Sequence, residues 1–151
     1  MRQGKYTSTT GVIRYYKNDR LHREDGPALI MTTGEEGWFL FGLLHRIDGP
    51  AMYTKDMKQV AYYVHGRCHR ADGPALIPFE GKCLLLKDDT ISYLSGVYGN
   101  FDTGSEYYYQ HNNLHRSDGP AVITPTKERF FINGEHCTPT QIKQIKLKMF
   151  D

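Results

Sequence analysis

Histidine, arginine and aspartate recur together at four places in this chain: His22, Arg23 and Asp25; His45, Arg46 and Asp48; His69, Arg70 and Asp72; His115, Arg116 and Asp118. A histidine beside a carboxylate can move protons near neutral pH, several histidines can hold zinc or nickel, and arginine can clamp phosphate. A catalytic or metal centre, however, needs one unique arrangement of unlike groups. Here every group belongs to the same phrase, His-Arg-x-Asp-Gly-Pro-Ala, written four times. Repetition favours a structural role: the aspartates organise turns, while the histidines and arginines bond neighbouring backbone or those carboxylates. No catalytic residue, metal ligand or cofactor is expected, and a row of ligand-contacting arginines stays open as an alternative.

The four histidines are separated by 23, 24 and 46 residues. The last interval is two periods long, so a worn fourth unit is expected between the third phrase and the last. Leu85–Ser92 aligns with Tyr62–His69, and Ser95-Gly96-Val97 fills the Asp-Gly-Pro slot. A sixth, truncated unit runs from Phe130 to Cys137, with Cys137 in the histidine slot. Residues 1–151 therefore read as one repeat domain of about six units, each of roughly 23 residues.

Each unit reads as two short strands and two turns. Paired bulky residues end the first strand, at Tyr15-Tyr16, Trp38-Phe39, Tyr62-Tyr63, Leu85-Leu86, Tyr108-Tyr109 and Phe130-Phe131, and aromatic residues suit a half-buried pleated surface. Turn signals follow at Asn18-Asp19, Phe41-Gly42, His65-Gly66, Asp88-Asp89, His111-Asn112 and Asn133-Gly134. Asp-Gly-Pro stops the second strand, because proline cannot donate a ladder hydrogen bond. The fold class predicted is all-β, an extended antiparallel meander of stacked hairpins. Adjacent rings must face opposite sides of the sheet, so one aromatic row is core and its neighbour is at least partly exposed. After Thr138-Pro139-Thr140-Gln141, a capped start, Ile142, Ile145 and Met149 recur at helical spacing. A short helix over about 139–150 would cover the end of the stack.

The phrase aromatic-aromatic-x-Asn-Gly-x-Leu-His-Arg-x-Asp-Gly-Pro-Ala-(Val/Leu)-Ile, followed by Phe-Phe-Ile-Asn-Gly and a threonine-initiated helix, resembles the MORN-variant-like repeats of bacteriophage and giant-virus proteins over residues 12 to 151. The resemblance implies an all-β repeat fold used for binding in viral proteins, with no common catalytic residues. Ser92, Val97 and Cys137 depart from its pattern.

A net charge of +2 gives no strong basic field, which argues against a nonspecific nucleic-acid coat. Eleven tyrosines supply apolar area with a polar handle. The first residues do not read as a signal peptide, and no apolar run reaches transmembrane length. Cys68, Cys83 and Cys137 are an odd number without metal-finger spacing, so reduced thiols in a cytoplasm are expected, the host cytoplasm if the protein is viral. The leading expectation is a noncatalytic module, not an enzyme, that binds a host or viral protein through one sheet face. Its candidate contacts are Tyr16, Phe39, Tyr63 and Tyr109, the divergent Tyr93, Tyr98 and Phe101, and the arginines Arg23, Arg46, Arg70 and Arg116. The alternative is a sequesterer of a nucleotide signal, with those arginines on phosphate and tyrosines stacked on a base. Oligomeric state is left open.

Overall fold

Two consecutive left-handed residues make six of the tight turns among the described residues. They are Asn18-Asp19, Phe41-Gly42, His65-Gly66, Asp88-Asp89, His111-Asn112 and Asn133-Gly134, with φ between 48° and 83°. Positive φ at both central positions matches the natural twist of antiparallel strands, so each turn closes a hairpin. A computed structural model describes residues 1–80, 82–95 and 104–149. It is an antiparallel meander of short strands with one helix, Pro139–Met149.

The main sheet is 12-stranded among the described residues. Its order runs Gly4–Thr7, Ile13–Lys17, Leu29–Ile30, Glu36–Gly37, Met52–Tyr53, Val60–Ala61, Leu76–Ile77, Glu106–Tyr107, Val122–Ile123, Glu128–Ile132 and Glu135–Cys137, with Arg20–Leu21 paired beside Ile13–Lys17. Smaller hairpins hang from it at Phe39–Leu40 with Leu43–Leu44, Tyr63–Val64 with Arg67–Cys68, and Tyr109–Gln110 with Asn113–Leu114.

The stretch aligned above with a fourth unit does not take a unit's place in this sheet. Leu76 pairs with Tyr107, the Arg70 N–H donates to the Tyr109 carbonyl, and the Asn112 N–H donates to that of Cys68. The third unit thus abuts the unit that starts at Tyr108. The intervening chain forms a separate hairpin, Lys82–Lys87 with Thr90–Ser95, that pairs with itself. Within it Ser92 replaces the histidine, and no arginine and aspartate follow to rebuild the phrase; Gly96 and Val97 lie outside the described residues.

That hairpin folds back over the first units. The Arg14 guanidinium donates to the Asp89 carbonyl (3.2 Å) and the Thr90 hydroxyl (3.1 Å), and the Tyr93 hydroxyl donates to the Glu35 carboxylate. Leu84 and Ile91 join a buried cluster with Val12, Leu21, Leu29, Phe39, Leu44 and Met52. The sheet makes room for it at Gly37, where an added Cβ would lie 2.8 Å from a Phe39 ring carbon and 3.5 Å from the Ile91 tip. Burying such apolar side chains contributes about 1.5–3 kcal/mol each.

The helix start is a reciprocal cap. The Gln141 N–H donates to the Thr138 hydroxyl (3.2 Å), and the Thr138 N–H donates to the Gln141 side-chain oxygen (2.8 Å). Ile142 is buried, and a cleft between the helix and the last hairpin is lined by Ile132, His136, Cys137, Gln141 and Ile145.

Candidate functional site

The arginine of each phrase is held on three sides. Its Nε donates to the aspartate two residues on, at 3.0, 3.0, 3.0 and 2.9 Å for Arg23, Arg46, Arg70 and Arg116. A terminal nitrogen donates to the carbonyl of the following proline, Pro27, Pro50, Pro74 or Pro120. The guanidinium lies 4.1 Å over the first ring of its unit, Tyr15, Trp38, Tyr62 or Tyr108. The phrase glycine closes the other side: a Cβ added at Gly49 would sit 3.0 Å from the guanidinium carbon of Arg46. Arginine, aspartate, glycine and proline therefore form one latch that folds the turn against its own strand. These arginines and rings already occupy each other, and a base stacking on that ring face would have to displace the guanidinium.

Histidine acts between units. The N–H of the first turn residue in the next unit donates to its Nδ1: Phe41 to His22 (3.0 Å), His65 to His45 (3.0 Å), His111 to His69 (3.2 Å) and Asn133 to His115 (3.0 Å). With Nδ1 accepting, Nε2 is the nitrogen left to donate. The imidazoles of His22, His45 and His69 also lie tilted against the rings of Phe41, His65 and His111, with ring centres 4.3, 4.3 and 4.5 Å apart. Burial, and secondarily the charge of His65 or His111, holds His45 and His69 below the usual imidazole range. Among the described residues no three His, Cys, Asp or Glu side chains gather as a metal site.

Of the aromatic candidates, Tyr16 and Phe39 are buried, while Tyr63 and Tyr109 are half-buried and face inward. This row, placed on the binding face by sequence reasoning, is turned to the inside; the first rings, carrying the arginines, take the other side. Alternation made the two rows opposite, and the sequence could not show which one met the inserted hairpin. Burial pushes the Tyr109 hydroxyl up to about 12, and does the same to the thiols of Cys68 and Cys83. Tyr93 is partly exposed but bonded to Glu35. Tyr98 and Phe101 lie outside the described residues.

Large apolar side chains are exposed at Met1, Tyr6, Met57, Leu85, Tyr93 and Leu147, and among the phrase-bearing units they concentrate in the second. At its outer hairpin positions stand Leu40, Phe41 and Leu43, and Ile47 occupies the variable place in the phrase; Phe41, Leu43 and Ile47 are 52%, 50% and 85% exposed. The equivalent residues are Lys17, Asn18, Arg20 and Glu24 in the first unit, Val64, His65, Arg67 and Ala71 in the third, and Gln110, His111, Asn113 and Ser117 in the fifth. The pairs Lys17–Arg20, Leu40–Leu43, Val64–Arg67 and Gln110–Asn113 occupy the same outward register. Phe41 even adopts φ 48° where asparagine does so at less steric cost. Its ring lies tilted against that of His22 and has the Lys17 ammonium 5.5 Å away. Beside this strip a groove runs between the Arg46–Asp48 and Arg70–Asp72 latches, floored by Tyr62 and Val64 with Ile47 at its rim. Sequence reasoning missed this patch; comparison of the aligned units at equal slots would have found it.

No helix among the described residues is long and apolar enough to cross a membrane. Comparisons of the chain with family models, with curated proteins and with solved structures found no match.

Proposed function

We propose that this protein is a noncatalytic protein-binding module and that the outer face of its second unit, Leu40, Phe41, Leu43 and Ile47, is the docking surface. The observation that carries the proposal is the contrast within the chain: four apolar side chains stand where the fifth unit has Gln110, His111, Asn113 and Ser117 on the same backbone. Exposed apolar side chains gathered in one patch mark interaction surfaces, and aromatic anchors dominate their energetics. On the resemblance noted for the repeats, the module would be a viral accessory protein acting on a host or viral partner in the host cytoplasm. The recurring histidines, arginines and aspartates serve the scaffold in this proposal, in keeping with their bonds to neighbouring backbone and to one another.

The test is to transplant the fifth unit's surface onto the second, as Leu40→Gln, Phe41→His, Leu43→Asn and Ile47→Ser. Because those side chains already occupy this backbone geometry elsewhere, the variant should keep its circular dichroism and melting behaviour. Loss of partner capture from host lysate in the variant supports the proposal. Equal capture by both proteins overturns it.

A further inference from the structure

The charges around the patch differ at its two ends. At the turn end, Lys17 lies beside the Phe41 ring and Arg20 packs 3.6 Å from where a Gly42 side chain would begin, while Arg67 occupies the equivalent outward slot one unit on. All three are exposed, and among the described residues none forms an ion pair. At the opposite end, beyond Ile47, the outward members of the latches are carboxylates. Asp25, Asp48 and Asp72 are 87%, 81% and 85% exposed, whereas their arginines are 27%, 22% and 25% exposed.

Resting on the docking surface proposed above, we infer that the partner presents an apolar protein segment whose acidic end lies over Lys17, Arg20 and Arg67 and whose donor-bearing end lies over Asp25, Asp48 and Asp72. The apolar strip supplies the anchor, and the two flanks set the direction in which the segment lies, since like charges brought together oppose docking. A uniformly anionic membrane suits the basic end alone and meets outward carboxylates at the other. A protein segment can match both.

A random peptide library displayed against the 151-residue chain provides the probe, and the selected sequences are then measured as labelled peptides by fluorescence anisotropy. Three outcomes together are expected. Selected peptides combine apolar residues with Asp or Glu towards one end. Their affinity falls about tenfold with Lys17→Glu, Arg20→Glu and Arg67→Glu combined, and falls again as salt rises. Binding disappears in the fifth-unit transplant. Unchanged melting of the charge-reversed variant shows that the loss is not unfolding.

Peptides lost in the transplant but indifferent to charge reversal and salt overturn this inference and leave the docking surface standing. Peptides that bind the transplant as well as the parent, or a library that yields no binder, overturn it as well, the former together with the surface. If phosphatidylserine-containing vesicles bind the parent and the transplant releases them, the surface is a membrane contact and both proposals fall. They also fall if the parent is a dimer by light scattering and the transplant a monomer, because a second copy then covers the patch.

Discussion

Units built on the same phrase sit in different surroundings in the two halves of the chain. The first three units share a buried cluster closed by Leu84 and Ile91 of the inserted hairpin, and no described residue from 104 onward belongs to that cluster. The later units keep the same arginine latch and the same histidine bond to the next turn, at Arg116 and His115, yet lie beside the capped helix. Local hydrogen bonds are thus written into every copy of the phrase, whereas closure of the core is a single event supplied from outside the pattern. Two identical turns can be equally well made and unequally stable, because membership of that cluster and not the latch differs.

The hardest blow to this contrast is Ile91→Ala. It should destabilise the protein by about 2–5 kcal/mol through lost burial and a residual cavity. Hydrogen exchange should then accelerate over residues 12–80 more than over 104–137. Uniform acceleration would mean that the two halves unfold as one. Next in size is the bond that ties the hairpin down: Tyr93→Phe removes a hydroxyl from the buried Glu35 carboxylate and should cost about 1.5–3 kcal/mol. Burial alone would raise the pKa of Glu35, but the hydroxyls of Thr33 and Tyr93 outweigh it and hold the group below its usual value. Stability from Glu35 is accordingly present above its ordinary pKa and is lost as pH falls, and this acid dependence should shrink in the Tyr93 variant.

The latch tests the other side of the comparison. Gly49→Ala and Gly119→Ala place a Cβ 3.0 and 3.1 Å from the guanidinium carbons of Arg46 and Arg116. Each should cost about 1–3 kcal/mol. Because the latch is local, similar urea midpoints are expected for the two variants, and a large difference would show that the latch depends on the core beneath it. The smallest effect is acid sensitivity from the histidines. His45 and His69 have lowered folded-state pKa values, so their unfolded forms take up protons first as pH drops. Their contribution is full above the ordinary histidine range and is lost as pH falls below about 6.5. His45→Asn and His69→Asn together should flatten the urea midpoint between pH 7.5 and 5, even if the variant is weaker overall.

Much of this is legible in the amino-acid sequence. The paired turn residues marked the hairpins, Thr138 and Gln141 marked the helix start, and repetition of His45, Arg46 and Asp48 pointed to bonds with neighbouring backbone and carboxylate. These are local signals, carried by backbone preference within a few residues. The pairing of Leu76 with Tyr107 was not legible, because it depends on a stretch of chain stepping out of the sheet, which spacing alone rendered as a degenerate unit. The inward turn of Tyr16 and Phe39 was hidden for a related reason: a period of two gives opposite faces without saying which is in. The patch at Phe41 was readable in principle, since it needs only an alignment of the units by turn slot.

The hairpin's return to the first units has a kinetic consequence. Arg14 meets Thr90 across 76 residues and Glu35 meets Tyr93 across 58. The turns, by contrast, close over only a few. Contacts of such different range form on different timescales, so the small hairpins should assemble early and the long closure late. During that interval Leu29, Phe39 and Met52 face solvent on strands not yet covered, which is when the chain is most exposed to aggregation, on a ribosome or in a refolding vessel.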